Sequence, residues 1–177
     1  MIDKKLFYVI CLIFSLNANA ETLIQKYEKE WLDLSEEQKK IAHKIFNHAK
    51  NDNLSWSATA IAWQESQFGR WQININKNNS WDCGIFQNNI LSVLNHQDIP
   101  HNRYNKKEIC TDLIIDFDYA YINFAKEIKF WERVHKGNWD KIWSSYNGGW
   151  KGNKYYSKSI SSRIFVLKKY MARKEYE

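Results

Sequence analysis

The stretch WQESQFGRW, residues 63–71, carries a glutamate on a stripe that is otherwise apolar. Ala58, Ile61 and Ala62 recur at helical spacing, and position 65 continues their face. A helix over 54–67, stopping at Gly69, would therefore turn the Glu65 carboxyl toward the interior. Burial disfavours the ionised form, and the negative end of the helix dipole opposes it further, so both effects hold the proton on. A carboxyl that keeps its proton near neutral pH can act as a general acid. Asp82 follows seventeen positions later, in SWDCG. A hairpin running out and back over that length can set Asp82 across a cleft from Glu65. Two carboxyls in different environments are the pattern of a proton donor and a charge stabiliser.

The elements that must hold these residues are mostly helical. Leu23, Tyr27 and Trp31 mark a short first helix, and Ser35-Glu36-Glu37-Gln38 reads as a capping box opening a second, with Ile41, Ile45 and Ala49 inward. The helix of Glu65 is the third. Phe117, Tyr121, Phe124, Ile128 and Trp131 mark a fourth, and Trp139, Ile142, Trp143 and Tyr146 a fifth that ends at Asn147-Gly148-Gly149. Ile160, Ile164 and Leu167 mark a terminal helix. One segment reads otherwise: Ile73 and Ile75 alternate with polar residues before an Asn-rich turn and Ser80-Trp81-Asp82, which is a small β-hairpin. The expected class is mainly α with a small antiparallel β-hairpin or sheet. One proline, no repeat and no low-complexity linker point to a single domain over 21–177.

The first twenty residues are set apart from that domain. A charged start, an apolar run from Leu6 to Leu16 and Ala18-Asn19-Ala20 together read as a signal peptide cleaved after Ala20. The run is too short to span a bilayer comfortably, and no later run of eighteen apolar residues exists, so no stable membrane span is expected after cleavage. The expected location is the periplasm or the exterior. Cys83 and Cys110 are the cysteines that remain, an even number in an oxidising compartment, and we pair them. Closing a loop of about 28 residues would stabilise the fold by about 3.5 kcal/mol in the chain-entropy picture. The five histidines show no HExxH spacing and there is no Cys-x-x-Cys, so neither a metal nor another cofactor is expected. The net charge of +6 suits an anionic polymer or surface. Its basic cluster at Lys168, Lys169, Arg173 and Lys174 reads as a solvated helix end, and nucleic acid is not expected as a partner.

Six glycines are few, and four of them, Gly69, Gly84, Gly148 and Gly149, adjoin candidate polar site residues. The segments they punctuate carry a resemblance. Ala60-Ile61-Ala62-Trp63-Gln64-Glu65-Ser66-Gln67-Phe68, then Gly84-Ile85-Phe86-Gln87, then Tyr146-Asn147-Gly148-Gly149 is similar to the lytic transglycosylases with a lysozyme-like SLT domain, in the same order and with a wide gap before the third motif. Asp82 is similar in spacing and wording to c-type lysozymes. In this the chain resembles the small transglycosylases that accompany type III, type IV and conjugative secretion machines, and the resemblance implies components of such a machine as partners. Phe86 stands where methionine is common, and Ser145 where alanine is common.

The resemblance implies a lysozyme-like α+β fold and cleavage of the β-1,4 bond between N-acetylmuramic acid and N-acetylglucosamine in peptidoglycan glycan strands. It implies Glu65 as catalytic acid, with Tyr146 touching it through its hydroxyl. Gln87 and Asn147 are implied substrate-binding residues, and Ser66 is expected near a substrate N-acetyl group. Asp82 keeps a hydrolysing muramidase open, and a non-catalytic wall-binding or assembly module is the third reading. Sugar stacking is expected of some of the nine tryptophans, with Trp63, Trp71, Trp81 and Trp150 as candidates.

Overall fold

The computed structural model describes residues 22–77 and 79–171. The expected signal peptide over 1–20 lies outside them, as do Arg173 and Lys174. Eight α-helices are described: α1 over 22–32, α2 (Glu36–His48), α3 (Ser55–Ser66), α4 (Ile90–His96), α5 (Arg103–Ile115), α6 (Phe117–His135), α7 (Trp139–Gly148) and α8 (Lys154–Met171). A three-stranded antiparallel sheet of β1 (Ile73–Ile75), β2 (Trp81–Cys83) and β3 (Asn88–Asn89) interrupts them, in the order β1-β2-β3. The chain is mainly α with a small sheet.

Local chemistry explains the helix ends. Ser35 Oγ accepts from the Gln38 N–H while Gln38 Oε1 accepts from the Ser35 N–H, the reciprocal box that opens α2. Helix α3 is buried on most sides, with eight of its twelve residues buried, and it packs between α2 and α8. It ends at Ser66, earlier than the stop expected at Gly69. Gln67, Phe68 and Gly69 have φ of 49°, 59° and 89°, so three successive left-handed residues reverse the chain. Two of them are not glycine, and each costs about 1–2 kcal/mol in that conformation. Gln38 Nε2 donates to the Gln67 carbonyl at 2.9 Å, and Phe68 is buried to 2 % exposure, which together hold the reversal.

The sheet register pairs Asn74 with Asp82, and Asp82 with Asn89. The alternation of Ile73 and Ile75 does mark a strand, yet both side chains are exposed, so its apolar face is not a core face. Behind the sheet, Cys83 bonds Cys110 of α5 with their Cα atoms 5.4 Å apart. Gly84 has φ +78°, and a Cβ there would lie 2.1 Å from the Leu113 carbonyl oxygen. Only glycine lets β2 sit so close to α5. Because Cys83 adjoins Asp82, reduction of the disulfide should lower activity more than helix content, and should cost about 3.5 kcal/mol of stability. Non-reducing peptide mapping, circular dichroism and an activity assay under the same conditions check this. Two free thiols in exported protein, or parallel losses, would contradict it.

Candidate functional site

The C-terminal turn of α3, the sheet, α4, α6 and the α7 terminus enclose an open cleft of roughly 1030 Å³. Glu65, Asp82, Gln87, Tyr146 and Asn147 all line it, brought together from positions far apart in the chain. Glu65 is half-buried at the cleft wall. Its Oε1 accepts a 2.5 Å hydrogen bond from the Tyr156 hydroxyl. Burial pushes the Glu65 carboxyl up to about 7, and the negative charge of Asp82 adds to this, while the Tyr156 bond and Arg163 pull the other way. Arg163 is itself engaged behind the site: it lies over the rings of Tyr27 and Trp63 and bonds Glu30 Oε2 at 2.8 Å. Its positive charge thus reaches Glu65 already paired, which leaves desolvation dominant.

Asp82 has a different environment. Its oxygens accept from the side-chain amides of Asn76 at 2.8 Å, Asn89 at 2.7 Å and Asn74 at 3.4 Å. Asn89 divides its amide: Nδ2 holds Asp82, and Oδ1 caps α4 by accepting from the Leu91 and Ser92 N–H groups. Asn74 of β1, Asn76 at the start of the turn and Asn89 of β3 therefore form a cradle for one carboxylate.

Tyr146, Ser66 and Gln87 make the following contacts. The Tyr146 hydroxyl does not touch Glu65; it donates to the Phe86 carbonyl at 2.8 Å, and the Tyr146 ring stacks on Tyr156. Tyr156 makes the contact instead, and Tyr146 braces it. Burial and the nearby Glu65 charge push both phenols well above their ordinary value, so both remain donors. Ser66 is fully buried and is not among the residues that line the cleft. Its Oγ donates to the Ile85 carbonyl at 2.7 Å and accepts from the Gly69 N–H at 2.8 Å, clipping the end of α3 to the turn after β2. Gln87 lines the cleft, but its Nε2 is tied to the carbonyls of Gly84 and Trp71.

Among the tryptophans, Trp63 belongs to the core at 1 % exposure, whereas Trp71 lines the cleft at 59 % exposure. Trp150 is 77 % exposed and packs edge-on against Trp131, which lines the cleft. Phe86, at the position where the resemblance expects methionine, stacks on Phe124 with ring centroids 4.5 Å apart. Ser145 Oγ shares a 2.8 Å hydrogen bond with His135 Nε2. Sequence reasoning missed Tyr156, Asn123, Glu127 and Trp131 as cleft or site residues. Tyr156 continues the stripe of Ile160 and Leu167 by one turn, so a longer reading of the last helix would have found it.

Tyr156→Phe should raise the Glu65 carboxyl further, because the lost bond favours its ionised form. The alkaline limb of the pH–rate profile should then move to higher pH. An unmoved limb would mean that Tyr156 only fills space.

No protein-family profile matches the chain, and no solved structure matches it. A curated relative in Enterobacteria phage T4, described as an uncharacterized 20.7 kDa protein in the vs-regB intergenic region, is 29% identical over 131 residues, covering 70% of this chain and 68% of that protein.

Proposed function

We propose that this chain is a peptidoglycan lytic transglycosylase of lysozyme-like fold, exported to the periplasm or beyond and acting on the β-1,4 bond between N-acetylmuramic acid and N-acetylglucosamine. The observation that carries the reading is one open cleft holding a desolvated Glu65, raised to about 7, together with an amide-cradled Asp82. Tyr156 occupies Oε1 of Glu65, so Oε2 is left to carry the transferable proton. In the first step Glu65 protonates the glycosidic oxygen, the C1–O bond breaks and the leaving sugar departs with the proton. Positive charge develops at C1 and the ring oxygen, where the Asp82 carboxylate stabilises it. In the second step ionised Glu65 takes the proton of the muramoyl 6-hydroxyl as that oxygen bonds to C1, giving a 1,6-anhydro end and restoring the acid. An intramolecular hydroxyl has an entropic advantage over free water.

Asp82 specifically favours a second reading, hydrolysis, in which water or the carboxylate itself attacks C1. A wall-binding module without activity is the remaining alternative, and the engaged Glu65–Tyr156 pair argues against a decayed site. The three-motif resemblance further suggests service to a secretion or conjugation machine. Zymography of the purified protein in a gel containing wall material tests the enzyme reading. A cleared band supports it, and an uncleared gel with folded protein contradicts it.

A further inference from the structure

Helix α8 grips the end of α3 with one stripe of polar side chains, Tyr156, Ser159 and Arg163, at helical spacing. Tyr156 binds Glu65 Oε1, Ser159 Oγ donates to Gln64 Oε1, and Arg163 Nε donates to the same Gln64 oxygen at 3.1 Å. A guanidinium can only donate, so the Gln64 amide is fixed with its oxygen toward α8. Ser159 gives its one proton to Gln64, and the Tyr27 hydroxyl of α1 therefore donates to Ser159, at 2.7 Å. The stripe is dry, with Ser159 at 1 % exposure and Arg163 at 6 %.

A guanidinium placed so deeply is a permanent charge that needs a partner. Glu30 of α1 supplies one, accepting from Arg163 Nη1 at 2.8 Å, and Lys26 lies 3.8 Å from the other Glu30 oxygen. The guanidinium stands 3.8 Å from the Tyr27 ring centroid and 4.6 Å from that of Trp63. Glu28 and Lys169 tie the same two helices again, at 2.6 Å. None of the motifs that carry the resemblance lies on α1 or α8. These helices nevertheless set a charge pair directly behind Gln64, the residue that precedes the acid. Glu65 itself is faced by Tyr156 and Arg163 from α8, Asp82 from β2 and Tyr146 from α7, while Lys77, His96 and Glu127 share the cleft lining.

We propose that Arg163 and Glu30 are positioning residues for the catalytic acid: Arg163 holds the Glu65 end of α3 through Gln64, and Glu30 offsets the charge that Arg163 brings there. The inference rests on the wall-cleavage reading for the chemistry that Glu65 performs. Without Glu30, the uncompensated guanidinium favours ionised Glu65 and removes the proton that the first step needs. Without Arg163, the Glu30 charge acts on Glu65 unopposed and favours the protonated form, which hinders Glu65 as the base of the second step. The pair keeps the carboxyl able to serve in both.

The test follows the Glu65 carboxyl itself, by carbon-13 NMR titration of glutamate-labelled protein. Its signal is the one missing from the Glu65→Gln spectrum, and in the wild type it should titrate at about 7. Glu30→Gln should move the midpoint down by about half a pH unit or more, and Arg163→Gln should move it up by a similar amount. The double variant should return toward the wild-type midpoint, because both charges are gone. A pair that only supports the fold would lower the melting temperature without these opposed displacements. Where Arg163→Gln does not fold, Glu30→Gln decides alone, since that side chain is 29 % exposed. A lowered midpoint there supports the proposal, and an unmoved or raised one overturns it. Midpoints that move the same way in both single variants also overturn it. Wall cleavage is measured across the same pH range. Cleavage with unmoved midpoints removes the pair alone, whereas opposed midpoints in a protein that does not cleave wall remove the enzyme reading and keep the pair.

Discussion

Glu65→Gln is expected to reduce wall cleavage by roughly 10³-fold, within the range that positioned acid–base groups contribute, while helix content stays unchanged. Glutamine keeps the shape of the side chain and can still accept from Tyr156, but it carries no transferable proton. The same substitution has a stability signature. The folded-state value of the Glu65 carboxyl is raised from 4.5 to about 7, chiefly by burial. For a group raised on folding, the favourable protonated state is fully present below the unfolded value and is lost as pH rises through the folded one. Wild-type protein should therefore lose stability between about pH 4.5 and 7, by on the order of 3 kcal/mol at about 1.4 kcal/mol per tenfold. The glutamine variant should not. Thermal melts at pH 5 and pH 8 check this: the two proteins should agree at the lower pH, and the variant should be the more stable at the higher. Activity of the wild type should fall above about pH 7 as the acid ionises. Wild-type rates in the variant would remove Glu65 from the chemistry.

Asp82→Asn is the second large effect. Loss of one preorganised charge at the developing oxocarbenium should cost about 2–4 kcal/mol of transition-state stabilisation. The fall should appear in kcat with KM little changed, since the charge acts where charge develops. A structural contribution is separable, because the new amide would face the donors of Asn76 and Asn89, and a melt measures that cost directly. The pH profile gives a further signature. The Asp82 charge helps raise Glu65, so its removal should move the alkaline limb to lower pH. An unchanged rate and an unmoved limb would reduce Asp82 to a strand residue tying the Asn-rich turn.

The residues differ in how far the sequence alone could place them. Glu65 was readable because helical spacing is local, and the capping box of α2 is written in four consecutive residues. The hairpin was readable from alternation, but the burial of its faces was not, since Ile73 and Ile75 are exposed. Helix α4 has seven residues, too few to establish a period, and α5 opens with the polar run from Arg103 to Glu108, which masks Ile109 and Leu113. Asn102 caps α5 and was the available signal. The expectation that the Tyr146 hydroxyl meets Glu65 came from the resemblance, and the fold gives that contact to Tyr156. Which of two stacked tyrosines reaches the acid depends on how α7 and α8 pack, and no local pattern encodes that. Asn123 and Glu127 were hidden for the same reason: they line the cleft only because α6 packs against β3 and α7.

Mass spectrometry of peptidoglycan digested by the purified protein tests the central claim most directly. The expected result is soluble fragments ending mainly in 1,6-anhydro-N-acetylmuramic acid, about 18 Da lighter than hydrolysis products through the loss of water. Predominantly reducing-end fragments would assign the chemistry to hydrolysis and the larger role to Asp82. Intact wall with no soluble fragments, under conditions where the protein is folded and its disulfide formed, would contradict cleavage by this cleft altogether.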